Sequence, residues 1–558
     1  MPKSSKPAAP EFRACTECRK RKSKCSGTAP CQNLDEAERR CAKLVEVLQR
    51  LNPAIDIEYA LTGRGTPTDT GPVPSFERYQ SIDSTPECPE GLGERDDFEW
   101  NEATSASASR RRQGCADGMA SLPTEKAESG YLGTSSGSTL LKTIPAILPE
   151  STGSGVAEQD HDLPTNAHQL ETPALSEHIN NSVVLDGLID AYFMYYHSSY
   201  PILHESTFRQ MYSTRREVRV HTSWHPIFYL VLAVGEWLRG VESGSERSKY
   251  YNAARSRMSM RMLESGNLLT VQAFLLMGNY LQKRDRPNTG YNFVGIAYRM
   301  ALGLGLHRDP PTETMTGTLL NERRRVVWWI IYCFDSGFSL TTGRPIMASD
   351  SFIDTRLPRN IDDSECDLTS ILPAPTNQPT IYSAIIGQAR LATIGNTIYR
   401  DVISTHIQAG VGLRASRSLD HQLKAWKLSL PIYFTAQDIP TWFRGPRAII
   451  GWKEQNLRMM LWWGSQRLCS TSRHTALTTQ NTIHAGIAWY ATYFLFQAVI
   501  VLSIHQFKPR NPLELSLVGA DQDLWVFSIT KARDSLTQLG QTNTAGTRCL
   551  EVLDRIWQ

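Results

Sequence analysis

The sequence predicts an all-α protein: a small cysteine-rich N-terminal module with a short coiled-coil-like helix, a disordered linker, and a large all-helical domain. Three observations predict it. Five of the eleven cysteines fall between Cys15 and Cys41. Between residues 101 and 190 the only aromatic residue is Tyr131, after which ten Phe, Tyr or Trp crowd residues 191–230. Beyond that point apolar residues recur at three- and four-residue spacing, with no run of alternating segments joined by hairpin turns.

Composition sets the outer bounds. Of 558 residues, 41% are hydrophobic and 21% charged, enough for a sizeable core. A net charge of +3 excludes binding driven by a global field, so any nucleic-acid contact must come from a local patch. Met1 to Phe12 holds no apolar run, so no secretory signal is expected. In an unsecreted chain of this length the cysteines do not read as a disulfide scaffold.

The first element spans residues 1–34. Cys15-Thr16-Glu17-Cys18 is followed by Cys25 and Cys31, a C-x2-C-x6-C-x5-C spacing. Four thiolates can close a tetrahedral zinc site. Between Cys18 and Cys25 lie Arg19, Lys20, Arg21, Lys22, Ser23 and Lys24, five cations in six residues. A metal site that anchors such a segment presses cations against phosphates and base edges. The plainer alternative is a zinc-free basic tail. A thioredoxin-like C-x-x-C lacks its βαβ context.

Residues 35–52 read as a helix. Ala37, Cys41, Leu44, Leu48 and Leu51 form an a/d seam about two heptads long, ended by Asn52-Pro53. Two readings stay open: a contribution to a homodimer, or an amphipathic helix packed on its own chain.

Residues 53–184 are rich in Ser, Thr, Gly, Pro and Glu, and are expected to form a mostly disordered linker. Residues 185–558 are expected to form the helical domain. Phe293, Ile296, Ala297, Met300, Ala301 and Leu304 trace one helical face, and Glu322-Arg323-Arg324-Arg325 precedes an apolar run from Val326 to Phe334. Ala485 to Ser503 carries no charge and is long enough to span a bilayer, but it lacks basic flanks and reads as a buried central helix, so no membrane partner is expected.

The stretch Ala14 to Cys25, with Pro30-Cys31, resembles the fungal binuclear zinc cluster transcription factors. The resemblance implies six cysteines on two zinc ions. Cys15 and Cys31 would bridge, and Cys18 and Cys25 would complete the first zinc. Arg21 and Lys22 would take the place of the basic pair over a CGG triplet. The fifth cysteine belongs at position 34, which is Leu34; the sixth falls at Cys41. Either Leu34 is a substitution, or a short segment is missing there and Cys41 is a seam residue. Residues 186–365 are similar to the regulatory domain of the same family, through Tyr200-Pro201-Ile202-Leu203-His204, Pro287-Asn288-Thr289-Gly290-Tyr291, Gly305-Leu306-His307-Arg308, Trp328-Trp329 and Gly343-Arg344-Pro345. That implies a helical module that controls activity.

Enzyme classes fare poorly. There is no G-x-x-x-x-G-K-[ST] and no H-E-x-x-H, and Gly303-Leu304-Gly305 is a weak dinucleotide signal. His197, His204 and His307 read as hydrogen-bonded core or surface residues, and Asp335 as an ion-pair partner of Arg325 or Arg344. The expectation is a nuclear regulator of RNA polymerase II genes, not an enzyme. It binds zinc through Cys15, Cys18, Cys25, Cys31 and Cys41, and double-stranded DNA through Arg19, Lys20, Arg21, Lys22 and Lys24. Its partners would be a second copy and the transcription machinery. The alternatives are a regulator with a degenerate cluster acting through its helical domain, or a small-molecule sensor.

Overall fold

The computed structural model describes residues 131–133, 135–141, 181–219, 222–240, 248–284, 286–309, 318–404, 409–464, 484–507, 519–541 and 543–557. Contacts divide the chain into two units, Met1–Gly93 and Glu94–Gln558; every described residue belongs to the second. Among these residues there is no β-strand, only an isolated bridge between Thr318 and Ile371.

The first core layer is built around α4 (Trp224–Leu238) and α7 (Leu268–Gln282). Both are apolar on nearly all sides, the pattern of a central helix. Asn267 caps α7, its Oδ1 accepting from Thr270 N at 3.0 Å. Around them pack α2 (Ser182–Ala191), α5 (Lys249–Arg255), α8 (Pro287–Gly303), α9 (Leu319–Thr342) and α10 (Ile381–Ile398). Pro287 opens α8, where its missing N–H costs nothing. α7 and α8 meet at Gly278 and Gly290: a Cβ on Gly278 would lie 2.9 Å from the Gly290 carbonyl oxygen. The face of α8 is turned slightly from the expected stripe. Val294, Ala297, Tyr298 and Ala301 are buried, whereas Phe293, Ile296 and Met300 pack at its margin.

α2 runs into a wider π turn, Tyr192–His197, which buries Tyr192, Phe193, Tyr196 and His197. Between α2 and α4 lies α3 (Glu205–Ser213), and α6 (Arg261–Glu264) precedes α7. α11 (Ala409–Leu428) and α12 (Thr441–Gly464) close a second cluster with α10.

A third cluster joins α13 (Ala485–Phe507), α14 (Gly519–Gly540) and α15 (Thr544–Trp557). α13 contains the segment with membrane-spanning length; it is the one helix among the described residues long and apolar enough to cross a bilayer. Its apolar window is 83% buried, against α12, α14 and α15.

Helix α2, the first of the expected helical domain, opens at Ser182. Within the stretch expected to be a mostly disordered linker, residues 131–133 and 135–141 form a strap ending in α1 (Gly137–Leu141), with Leu140 and Leu141 inserted into the third cluster. Gly133 N donates to Thr342 O at 2.8 Å, and Arg344 Nε donates to Tyr131 O at 2.9 Å. Gly343 terminates α9 with φ +70°, a left-handed cap that glycine adopts without a Cβ penalty. Four apolar or backbone anchors offset the ordering entropy that composition alone says the segment cannot meet.

Candidate functional site

The zinc and DNA residues expected from sequence, Cys15, Cys18, Cys25, Cys31, Cys41, Arg19, Lys20, Arg21, Lys22 and Lys24, all lie outside the described residues, as does the 35–52 helix. Their donor chemistry is still readable. Four thiols are enough to close one tetrahedral zinc site, and the leucine at position 34 carries no donor atom. Among the described residues no group of three His, Cys, Asp or Glu side chains is placed to hold a metal.

Within the helical domain the histidines and the aspartate read as structural take the following positions. His204 caps α3, its Nδ1 accepting from Thr207 N at 3.4 Å. His197 is buried, and neither ring nitrogen makes a hydrogen bond among the described residues, contrary to the hydrogen-bonded role expected of it. Burial and the nearby Arg323 charge hold its pKa well below the usual imidazole value. Asp335 is also a correction. It pairs with neither Arg325 nor Arg344; its Oδ2 accepts Met347 N at 3.0 Å and Ala348 N at 2.9 Å. Burial pushes its carboxyl up to about 6, against the pull of those two N–H bonds. Arg325 instead bridges Glu322 at 2.9 Å and Asp309 at 2.7 Å. Residues 133–137 also spell G-x-S-x-G. The buried Ser135 donates its hydroxyl to Leu340 O at 2.7 Å, which leaves it no nucleophile's geometry.

The described residues enclose one chemically distinctive space. A cavity partly open to solvent lies among α7, α9, α10, α12 and α13. Its walls are largely apolar or aromatic, with Phe334, Phe338, Leu391, Leu457, Trp489 and Tyr493 among them. Two lysines enter it. Lys283, at the C-terminal end of α7, is 6% exposed and has no carboxylate partner among the described residues. Its Nζ lies 5.1, 4.9 and 4.9 Å from the ring centres of Tyr196, Tyr200 and Tyr490. Lys453, half-buried on α12, donates to Gln388 Oε1 at 2.7 Å and stands 5.6 Å from the centres of the same Tyr200 and Tyr490 rings. Burial, and then each other's charge for Lys283, hold both amines below the usual lysine value, Lys453 at about 8. Cation–π contacts of about 0.5–2 kcal/mol do not balance a desolvation cost of several kcal/mol for a buried ammonium. Burial pushes the neighbouring Cys333 thiol up to about 12, so it supplies no counter-charge. Two further donors on cavity-lining residues, Gln282 Nε2 and Trp489 Nε1, have no hydrogen-bond partner among the described residues.

Sequence reading missed this site. Lys283 stands in the charged run Lys283-Arg284-Asp285-Arg286 and Lys453 beside Glu454, text that reads as a solvated surface, and only the fold places both on the cavity that α7, α12 and α13 line.

A cysteine spacing suited to zinc and an all-helical domain stand on one chain. Comparison with known families agrees. Residues 13–46 match the fungal Zn(2)-Cys(6) binuclear cluster domain, a zinc-binding module, and residues 189–427 match the fungal specific transcription factor domain. The chain is thus similar to fungal zinc-cluster transcription factors over two separate stretches. It is 28% identical to the lactose regulatory protein LAC9 of Kluyveromyces lactis over 63% of this chain and 42% of that protein. It is 24% identical to an ABC-transporter-regulating transcription factor of Aspergillus fumigatus, over 76% and 55%, and 24% identical to transcription factor FBD3 of Gibberella moniliformis, over 76% and 64%. The chain thus spans about half the length of the curated relatives it matches. No solved structure matches it significantly.

Proposed function

We propose that this chain is a zinc-dependent, sequence-specific DNA-binding regulator of RNA polymerase II genes, acting in the nucleus and not as an enzyme. The single observation that carries the reading is the presence on one chain of both matched domains, residues 13–46 and 189–427. Zinc held by Cys15, Cys18, Cys25 and Cys31 orders the module. Arg19, Lys20, Lys22 and Lys24 contact phosphates, with Arg21 and Lys22 at the CGG-reading position. Cys41 serves as a ligand of the second zinc or as a seam residue. Residues 1–34 form the DNA-binding module and residues 35–52 pair two subunits. Residues 53–184 connect them to the helical domain of residues 185–558, which gates contact with the transcription machinery.

Leu34 supports a second reading, in which the cluster is degenerate and the helical domain carries the function. Selection of bound duplexes from a random pool separates the two. Enrichment of CGG half-sites is expected. Recovery of no enriched sequence by the zinc-loaded chain would favour the degenerate reading.

A further inference from the structure

The cavity's polar atoms are unbalanced in one direction. Lys283 and Lys453 bring two cations to it, and Gln282 Nε2 and Trp489 Nε1 are unused N–H donors on its walls. No Asp or Glu lines it. The carboxylates nearest in sequence are engaged elsewhere: Glu454 with Lys427 and Arg458, Asp335 with backbone N–H groups. The remaining lining is mostly hydrocarbon and aromatic rings, suited to an apolar body rather than a hydrated inorganic ion. The site also reaches beyond the matched regulatory stretch, which ends at residue 427, because Lys453, Trp489, Tyr490 and Tyr493 come from α12 and α13.

The geometry points to a ligand site for a small organic monocarboxylate, its carboxylate met by Lys283 and Lys453 and its aliphatic or aromatic body lying against Trp489, Phe334 and Phe338. This deepens the regulatory reading by naming the chemical class of effector; what the ligand controls rests on that reading, whereas the binding itself does not. An anion supplies the counter-charge that the two lysines lack. It also bridges the core helices α7 and α9 to α12 and α13, so occupancy ties two parts of the helical domain together.

The test uses the full zinc-loaded chain. Thermal shift and calorimetry are run with acetate, hexanoate, benzoate, phenylacetate and indole-3-acetate, with benzamide and inorganic phosphate as controls. At least one carboxylate larger than acetate is expected to bind one per chain, with benzamide and phosphate at least tenfold weaker. Lys283→Met and Lys453→Met should each weaken that binding at least tenfold while the helical circular dichroism is unchanged. Lys283→Gln and Lys453→Gln serve if a methionine variant does not fold. Binding by no carboxylate in the set, equal binding of benzamide, or wild-type binding by the variants overturns the site. The same samples are assayed on CGG duplexes: loss of DNA binding with carboxylate binding intact would overturn the DNA reading and leave this one standing.

Discussion

Lys283 and Lys453, 170 positions apart, stand over the same two rings, Tyr200 and Tyr490, whose hydroxyls touch at 2.5 Å. Two cations on one aromatic pair, with no carboxylate, form a site held at a cost to the empty protein. Stability and ligand binding are therefore expected to pull in opposite directions here.

Lys453→Met should raise the stability of the ligand-free chain, by roughly 1–2 kcal/mol after discounting for the partial exposure of Lys453. The sign follows from a folded-state amine at about 8, below its unfolded value of 10.5. Below pH 8 the folded state bears the full penalty of a buried charge; between pH 8 and 10.5 that penalty is released. The advantage of the variant should thus be largest near pH 7 and shrink as pH rises. Lys283, Cys333, Tyr200 and Tyr490 also neighbour this amine and titrate, so the quantity to follow is the difference between variant and wild type. An advantage that grows from pH 7 to 10 would contradict the assignment.

Asp335 gives a second pH-dependent case, of opposite sense to an ordinary paired carboxylate. Its folded value of about 6 exceeds the unfolded one, so its ionisation lowers stability as pH rises from about 4 to 6. Asp335→Asn keeps an oxygen acceptor for Met347 and Ala348 and should be neutral or stabilising at pH 7. Asp335→Ala strands two buried N–H groups and should cost about 1–3 kcal/mol. Urea melts of both variants at pH 5 and 7 check this; equal destabilisation would show that the charge itself is needed.

The strap depends on a backbone-to-backbone contact. A Cβ on Gly133 would lie 2.1 Å from the Gly343 carbonyl oxygen. Gly133→Ala should lower the melting temperature and release residues 131–141 to limited proteolysis, although position 133 needs no left-handed backbone. Unchanged protease resistance would mean that the strap is not anchored there.

Much of the architecture was legible because burial imposes a period. The face around Ala297 and Ala301, the apolar run after Arg325 and the uncharged segment 485–503 all became helices in the expected places. Misses came where partners are set by tertiary packing. Asp335 met backbone N–H groups of a loop that no spacing rule locates. Tyr131 to Leu141 looked too polar to order, yet two leucines and a glycine contact suffice. The cavity was invisible because its lysines come from helices distant in sequence. For the zinc module the order was reversed: spacing alone identified it, because four thiols and a tetrahedral metal leave few alternatives.

Zinc content tests the gap at Leu34. The purified chain is expected to hold about one tightly bound zinc, through Cys15, Cys18, Cys25 and Cys31. Leu34→Cys restores a sixth thiol and should bring the count to two. Two equivalents in the wild type would show that the second site closes without residue 34.

DNA affinity tests the central claim most directly. Binding of the zinc-loaded chain to a CGG-containing duplex is measured across a salt series, for wild type and for Arg21→Ala with Lys22→Ala. The double variant should lose about 1–3 kcal/mol for the base contact and show a shallower salt slope, since at least one phosphate-neutralising cation is gone. Chelation of zinc should abolish specific binding, because metal binding is folding energy in such a module. An unchanged isotherm and slope in the double variant, or full affinity after chelation, would contradict the account.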